Sequence, residues 1–283
     1  TGIPVVGVVP YLHLDIDDED SLSERLTNRA AALVDIAVIR VPRLSNFTDF
    51  CALEAVDGVS VRYVDTVAGL GNPDMVILPG TKNTMKDLLW LRQTGLEARI
   101  LQLNDAGCAV FGICGGYQML GQSLSDPYGV EEGGSVRGMG LLPVSTVFTR
   151  QKTRTRVTGR FNAVGGLFAG LAGHEFEGYE IHMGETESLA PVAELSDSVT
   201  GTSRRDGCQA GSVYGSYVHG ILDGDEVAGA VILALAEKKG VDPASLGKVS
   251  GEEHKQRQYD LLAEALRAHM DMKKIYDILE AGV

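Results

Sequence analysis

The chain has 283 residues, of which 44% are hydrophobic and 22% charged, so it has room for a sizeable core and is not disordered throughout. The 25 Lys and Arg against 38 Asp and Glu give a formal charge of −13, which repels nucleic acid and anionic membrane surfaces. No apolar run reaches the roughly 18 residues of a membrane span, no leader is evident, and the four cysteines form no C-x-x-C pair. We therefore expect a cytoplasmic protein with free thiols and with no nucleic-acid or membrane partner.

The first 30 residues differ from those that follow. Residues 3–10 form a short strand-like run, residues 15–20 are mostly acidic, and residues 21–32 have the pattern of a polar helix. The sequence begins at Thr1 within an apolar stretch, which we interpret as the continuation of a longer chain. We predict that residues 1–30 are the tail of a preceding domain plus a linker.

From residue 31 onward, buried-strand patterns alternate with helical ones. The predicted strands cover residues 35–40, 58–64, 75–78 and 109–113, and the predicted helices cover 46–56, 84–106 and 115–121. This alternation is typical of βαβ units. We predict an α/β fold with an open, mostly parallel sheet and helices on both faces. In such sheets, ligand-binding and catalytic residues lie at the carboxyl ends of the strands.

The second half of the chain is less regular. Residues 125–160 are rich in Gly, Thr and Arg and contain only short strand-like pieces. Further strands are predicted at 178–184 and 212–219, and helices at 225–239 and 254–279. We predict a main domain over residues 31–235 and a C-terminal helical extension over residues 236–283.

The most informative segment is residues 111–121, FGICGGYQMLG, in which a strand runs through Gly-x-Cys-x-Gly into a helix. This is the nucleophile-elbow arrangement with sulfur in place of the serine oxygen. Gly112 and Gly116 lack side chains where the turn brings backbones together. The helix N-terminus beneath Cys114 favours negative charge, and the N–H of Gly115 points toward the same pocket. Cys114 is therefore the candidate nucleophile.

A lone G-x-C-x-G is more often a buried cysteine in a glycine-rich turn, so the elbow needs a second element. A thiol nucleophile requires a base, and His219 follows a predicted strand on the same sheet edge. His182, in another predicted strand, is the rival base. Cys51 and Cys108 fit ordinary core positions. The sequence contains no metal-ligand motif, so no metal site is predicted.

The third element is residues 78–84, LPGTKNT, where a glycine follows a buried strand. Free backbone N–H groups after Gly80 suit the second half of an oxyanion hole. They also suit a phosphate, but the P-loop spacing is absent. A plain strand-to-helix turn is the remaining alternative.

Together these motifs resemble the class I, triad-type, glutamine amidotransferases. The segments 41–50 (VPRLSNFTDF), 78–84, 179–184 (YEIHMG) and 217–220 (YVHG) are similar to the cobyric acid synthase family, and the resemblance covers about residues 3–280. The related family that amidates the a and c side chains of the corrin ring shares the Cys–His layout but usually has a different turn after Gly80.

The resemblance implies a C-terminal amidotransferase domain that hydrolyses glutamine and passes ammonia to an N-terminal synthetase domain of the same protein. That domain would hold ATP and Mg²⁺ and amidate a corrin substrate of the adenosylcobyrinic a,c-diamide type in cobalamin biosynthesis, while this chain needs no cofactor. By position, the resemblance gives six site residues: the nucleophile Cys114, its base His219, the oxyanion donors Gly80 and Gly115, and the glutamine-pocket residues Gln118 and Tyr217.

One residue departs from the triad class, which carries Glu two positions after the histidine. Here that position is Ile221, so the sequence offers at most a dyad unless another group orients His219. Asp223 and Glu180 are unranked candidates. A missing orienter leaves the imidazole tautomer undefined, so we expect weak glutamine hydrolysis by this chain alone.

Two other functions remain open from the sequence. One is a cysteine hydrolase or peptidase on the same kind of sheet, against which Gln118 and the family motifs argue. The other is a non-catalytic regulatory domain.

Overall fold

The computed structural model describes residues 2–12, 14, 32–162, 164–248 and 251–282, with the backbone alone at 251–255. The chain forms two compact units: Asp18–Gly251, and Thr1–Asp17 together with Glu252–Val283. None of the described helices combines the length and apolar character that a bilayer crossing demands. The three-part division drawn from the sequence stays a prediction.

The larger unit is built on a six-stranded sheet in the order β11-β12-β4-β3-β1-β2. All neighbours pair in parallel except β11 and β12, which pair antiparallel. The strands are β1 Val34–Ile39, β2 Val59–Val64, β3 Met75–Leu78, β4 Ala109–Ile113, β11 Cys208–Ala210 and β12 Val213–Ser216. The side chains of β3 and β4 are buried without interruption, as expected of central strands covered on both faces.

Helices follow these strands as the alternation predicts. They are α1 Cys51–Glu54, α2 Val67–Leu70, α3 Thr84–Thr94, α4 Leu96–Asp105, α5 Gly115–Leu120 and α6 Asp225–Lys239. A 3₁₀ helix at Phe47–Phe50 leads into α1, so the predicted helix over 46–56 begins as a tighter turn. The predicted stretch 84–106 divides into α3 and α4 because Gly95 takes a left-handed conformation.

A second, largely antiparallel sheet lies in the same unit, and the sequence analysis missed it. Its path is β10-β9-β7-β5-β6, and β8 pairs with β7. Its strands are β5 Ser123–Asp126, β6 Gly134–Arg137, β7 Ser145–Phe161, β8 Glu175–Thr186, β9 Ala193–Asp197 and β10 Ser203–Asp206. The prediction of only short pieces over 125–160 is wrong, because β7 runs for 17 residues.

The smaller unit contains α7 Gly251–His269, apart from its first residue, and α8 Met272–Ala281, in agreement with the helical pattern predicted for 254–279. The strand-like run at residues 3–10 forms no strand in its described part. It makes a single bridge between Gly7 and Met270. The acidic stretch and most of the polar helix predicted over 15–32 lie outside the described residues.

Candidate active site

Cys114 occupies the sharp turn between β4 and α5. Its φ of 51° and ψ of −108° are rare for a residue with a side chain, and such strain concentrates at functional positions. The turn is held because Cys114 N donates to the Ser216 carbonyl at 2.8 Å and Gln118 N donates to the Cys114 carbonyl at 3.1 Å. A Cβ on Gly116 would lie 1.9 Å from the Leu78 carbonyl oxygen, so only glycine permits this close approach.

His219 lies three residues beyond the end of β12, and its side chain is only 1% exposed. Its backbone exchanges two hydrogen bonds with Tyr179 of β8, at 2.9 and 3.1 Å. The Tyr179 ring also stacks on the imidazole, with centroids 5.2 Å apart. On the same strand, the Ile181 carbonyl accepts a long hydrogen bond of 3.8 Å from the Cys114 thiol. Strand β8 therefore runs past both the thiol and the imidazole.

The environment of the His219 imidazole raises its pKa. Burial by itself lowers the pKa of His219, but the charge and hydrogen bond of Asp49, together with the neighbouring Cys114, outweigh it and raise the pKa to about 10. Cys114 and His219 therefore interact, and their roles as nucleophile and base stay predictions. The protonated imidazole is the form that can give a proton to a leaving amine.

A third residue completes the constellation. His219 Nδ1 donates to Oδ2 of Asp49 at 2.7 Å, and Gly220 N donates to Oδ1 at 3.0 Å. Asp49 is 1% exposed and belongs to the 3₁₀ helix Phe47–Phe50. Both carboxylate oxygens are therefore bonded, as a buried charge requires.

Asp49 is therefore an orienting group for His219, a question that the sequence left open. Ile221, at the position of the usual Glu, is fully buried. Neither Asp223 nor Glu180 is the carboxylate bonded to Nδ1, because that partner is Asp49. Glu180 contacts Arg204 and lies 3.7 Å from His182 Nε2. We expected weak glutamine hydrolysis by this chain because an orienting group was missing, and that reason no longer holds.

The segment 43–49, here called the strap, joins Asp49 to the turn after β3. Leu44 bridges Thr81, Ser45 N donates to the Gly80 carbonyl at 3.0 Å, and Lys82 N donates back to the Arg43 carbonyl at 3.0 Å. The strap is therefore bonded to the Gly80 turn through its backbone and to the imidazole of His219 through the Asp49 side chain.

Gly80 lies against the imidazole of His219, and Gly115 lies against the turn that follows Gly80. A Cβ on Gly80 would lie 2.7 Å from His219 Cε1, and one on Gly115 would lie 2.6 Å from Thr81 Cγ2. In the described part of the chain, neither glycine donates its N–H to a protein acceptor. Both N–H groups are thus available to an oxyanion, although that role stays a prediction.

Gln118 and Tyr217 are brought together, but their polar atoms bond to the protein. Gln118 Nε2 donates to the Tyr217 hydroxyl at 3.1 Å, and Thr84 Oγ1 donates to Gln118 Oε1 at 2.9 Å. The Tyr217 hydroxyl also shares a 2.6 Å hydrogen bond with Thr186. This network joins α5 to α3 and, through Tyr217, to β8. Direct contact of the two side chains with glutamine stays a prediction.

The side chain of His182, the rival base, contacts a backbone carbonyl and an aromatic ring. Its Nδ1 bonds to the Gly184 carbonyl at 2.8 Å, and its ring stacks on Tyr217 with centroids 3.9 Å apart. Burial lowers the pKa of His182, which favours the neutral ring. The better-bonded carboxylate partner therefore belongs to His219, because Asp49 lies 2.7 Å from its Nδ1 whereas Glu180 lies 3.7 Å from His182 Nε2.

Asp49 is the functional residue that the sequence reasoning missed. It lies within the segment 41–50 that carries the family resemblance and within the predicted helix 46–56, but neither interpretation gave it a role. The available signal was an acidic residue beside the apolar Phe47 and Phe50, all three of which are buried. A carboxylate in such a position requires a buried partner. Within the described ranges, no group of three His, Cys, Asp or Glu side chains is arranged to hold a metal ion.

An elbow cysteine, an imidazole and an orienting carboxylate at the edge of a parallel sheet are the groups that cysteine-dependent acyl transfer uses. Residues 35–227 match the family described as the CobB/CobQ-like glutamine amidotransferase domain. The chain belongs to this family, so its class is that of the glutamine amidotransferases.

Two similar proteins from other organisms carry the same name. Cobyric acid synthase of Ruminiclostridium cellulolyticum is 54% identical over 291 residues, which are 99% of this chain and 56% of the relative. Cobyric acid synthase of Lachnoclostridium phytofermentans is 47% identical over 293 residues, 100% of this chain and 57% of the relative. The chain therefore spans a little over half the length of these relatives.

A solved structure supports the fold. A chain in the structure of PurLQS from Thermotoga maritima superposes with a TM-score of 0.53 at 19% identity. The match covers 72% of this chain and 98% of that one. At this identity the likeness shows the α/β architecture alone.

Proposed function

We propose that this chain hydrolyses glutamine to glutamate and ammonia, and that a longer protein uses the ammonia to amidate corrin side-chain carboxylates in cobalamin biosynthesis. The observation that carries the first part is the juxtaposition of Cys114 with the Asp49-bonded His219. The name shared by relatives at 54% and 47% identity supports the second part.

In the proposed reaction, the Cys114 sulfur attacks the side-chain amide carbon of glutamine. The N–H groups of Gly80 and Gly115 would stabilise the oxyanion, and His219 holds the thiol proton. His219 then gives this proton to the leaving nitrogen, so ammonia departs and a thioester remains. Water then attacks the thioester carbon while His219 accepts one of its protons. The C–S bond breaks, glutamate departs, and His219 returns the proton to the Cys114 sulfur.

The ATP-dependent step belongs, in this proposal, to an N-terminal synthetase domain of the same protein. That domain would bind ATP and Mg²⁺, activate a carboxylate of an adenosylcobyrinic a,c-diamide type corrin, and receive the ammonia. The cytoplasmic location also stays a prediction.

The test uses the full-length protein with either glutamine or ammonium salt as nitrogen donor. We expect Cys114→Ala to abolish glutamine-dependent amidation and to keep ammonia-dependent amidation, because ammonia bypasses the glutaminase site. Cys51→Ala, a half-buried cysteine outside the site, is the matched control and should keep both. Retention of glutamine-dependent amidation by Cys114→Ala would support the non-catalytic alternative instead.

A further inference from the structure

We propose that Asp49 is the positioning residue for His219, and that it replaces, from a different element, the acid that triad enzymes carry two residues after the histidine. This inference rests on the proposed function. Asp49 precedes His219 by 170 positions and reaches it from the 3₁₀ helix after β1. In the usual position, Ile221 is buried among apolar side chains.

The first step of the argument is the imidazole tautomer. A carboxylate only accepts hydrogen bonds, so the 2.7 Å contact with Asp49 requires a proton on Nδ1 of His219. In the neutral ring, Nε2 then carries the lone pair and can accept the thiol proton. Nε2 also faces the glycine turn, because a Cβ on Gly80 would lie 3.5 Å from it.

The second step is that Asp49 cannot easily reorient. Its other oxygen accepts from Gly220 N at 3.0 Å, next to the histidine itself. Phe47 and Phe50 are buried on either side of it in sequence, and the strap joins this helix to the Gly80 turn. The carboxylate is thus bonded to both the ring and the backbone that carries the ring.

The third step predicts what an amide would do at this position. In Asp49→Asn, the Gly220 N–H still requires an oxygen, which places the amide NH₂ against Nδ1 of His219. The amide then donates to Nδ1, and the proton of the neutral ring moves to Nε2. That tautomer cannot accept the thiol proton, although the shape of the site is kept.

The experiment measures kcat, KM and their pH dependence for glutamine hydrolysis by Asp49→Asn. We expect kcat to fall roughly 10³-fold to 10⁴-fold, as for a wrong tautomer, with KM changed less than about threefold. The alkaline limb of kcat should also move to lower pH. The limb moves in this direction because the variant loses the Asp49 charge that helps to raise the pKa of His219 to about 10.

Asp197→Asn is the matched control. Asp197 is a largely buried carboxylate that accepts from Val199 N and Thr200 N in a turn of the second sheet. Its substitution replaces a hydrogen-bonded carboxylate by an amide, as Asp49→Asn does, and should leave kcat and the alkaline limb unchanged. Glu180→Gln and Asp223→Asn should retain the wild-type alkaline limb, since neither is the carboxylate bonded to Nδ1.

Wild-type kcat with an unmoved alkaline limb in Asp49→Asn would overturn the inference while leaving the proposed function intact. A raised KM with wild-type kcat would also overturn it, because it would indicate a structural role in the pocket. If the wild-type chain hydrolyses no glutamine, the proposed function fails first. Nitrogen NMR of His219, recorded at a pH above its raised pKa, then tests Asp49 separately: the neutral ring of the wild type is expected to keep its proton on Nδ1, and a neutral ring protonated on Nε2 contradicts the proposal.

Discussion

At the residue scale, Cys114 combines an unfavourable backbone conformation with a well-bonded turn. Cys114 has a φ of 51°, and the neighbouring backbone of β12 and α5 holds it there. A side chain in this region costs about 1–3 kcal/mol, which the surrounding fold compensates. The strain places the sulfur at the rim of the sheet, beside β8 and His219.

This strain predicts a stability difference between two inactive variants. Cys114→Gly and Cys114→Ala both remove the sulfur, but only glycine takes a positive φ without a Cβ penalty. We expect Cys114→Gly to have the larger free energy of unfolding, by about 1 kcal/mol, in urea titrations. Equal stability, or a more stable alanine variant, would show that the turn is not strained.

The residue scale also explains which parts of the site the sequence revealed. Cys114 and Gly116 lie in one contiguous motif whose backbone geometry is local, so the pattern predicted them. Asp49 belongs to the site only through tertiary structure, because 170 residues separate it from its partner. Sequence periodicity assigns a residue to a face of an element and does not identify the group that it meets.

At the element scale, the strap couples two parts of the site that the sequence treated separately. It pairs with the turn after β3 and ends in the helix that carries Asp49. A displacement of the Gly80 turn therefore affects the imidazole as well as the oxyanion donor.

Gly80→Ala tests this coupling. Gly80 has no positive φ, so alanine is permitted by the backbone, but its Cβ would lie 2.7 Å from His219 Cε1 and 3.2 Å from Ser45 Oγ. We expect kcat for glutamine hydrolysis to fall by about 100-fold as the imidazole is displaced. Gly170→Ala, which meets open space, is the control and should keep wild-type kcat. Unchanged kcat in Gly80→Ala would contradict the coupling.

The element scale also shows why half of the fold was predicted and half was not. The strands of the parallel sheet are short apolar runs, and β1, β2, β3 and β4 all agree with the predicted segments. Strand β7 instead alternates buried Val157, Gly159 and Phe161 with exposed Thr and Arg. With so few apolar residues, this alternation did not stand out from a loop.

At the scale of the whole molecule, the chain contains a complete set of candidate glutaminase groups within Asp18–Gly251. The carboxylate that triad enzymes place after the histidine is supplied here by another element of the same unit. We therefore expect glutamine to react at Cys114 of this chain without a residue from another domain.

The most direct measurement is covalent labelling with a chloroketone analogue of glutamine, followed by peptide mass spectrometry. The account predicts one adduct, on Cys114, whose formation is slowed by added glutamine and abolished in Cys114→Ala. Labelling of Cys51, Cys108 or Cys208 instead, or labelling of Cys114 that glutamine does not slow, would contradict the account.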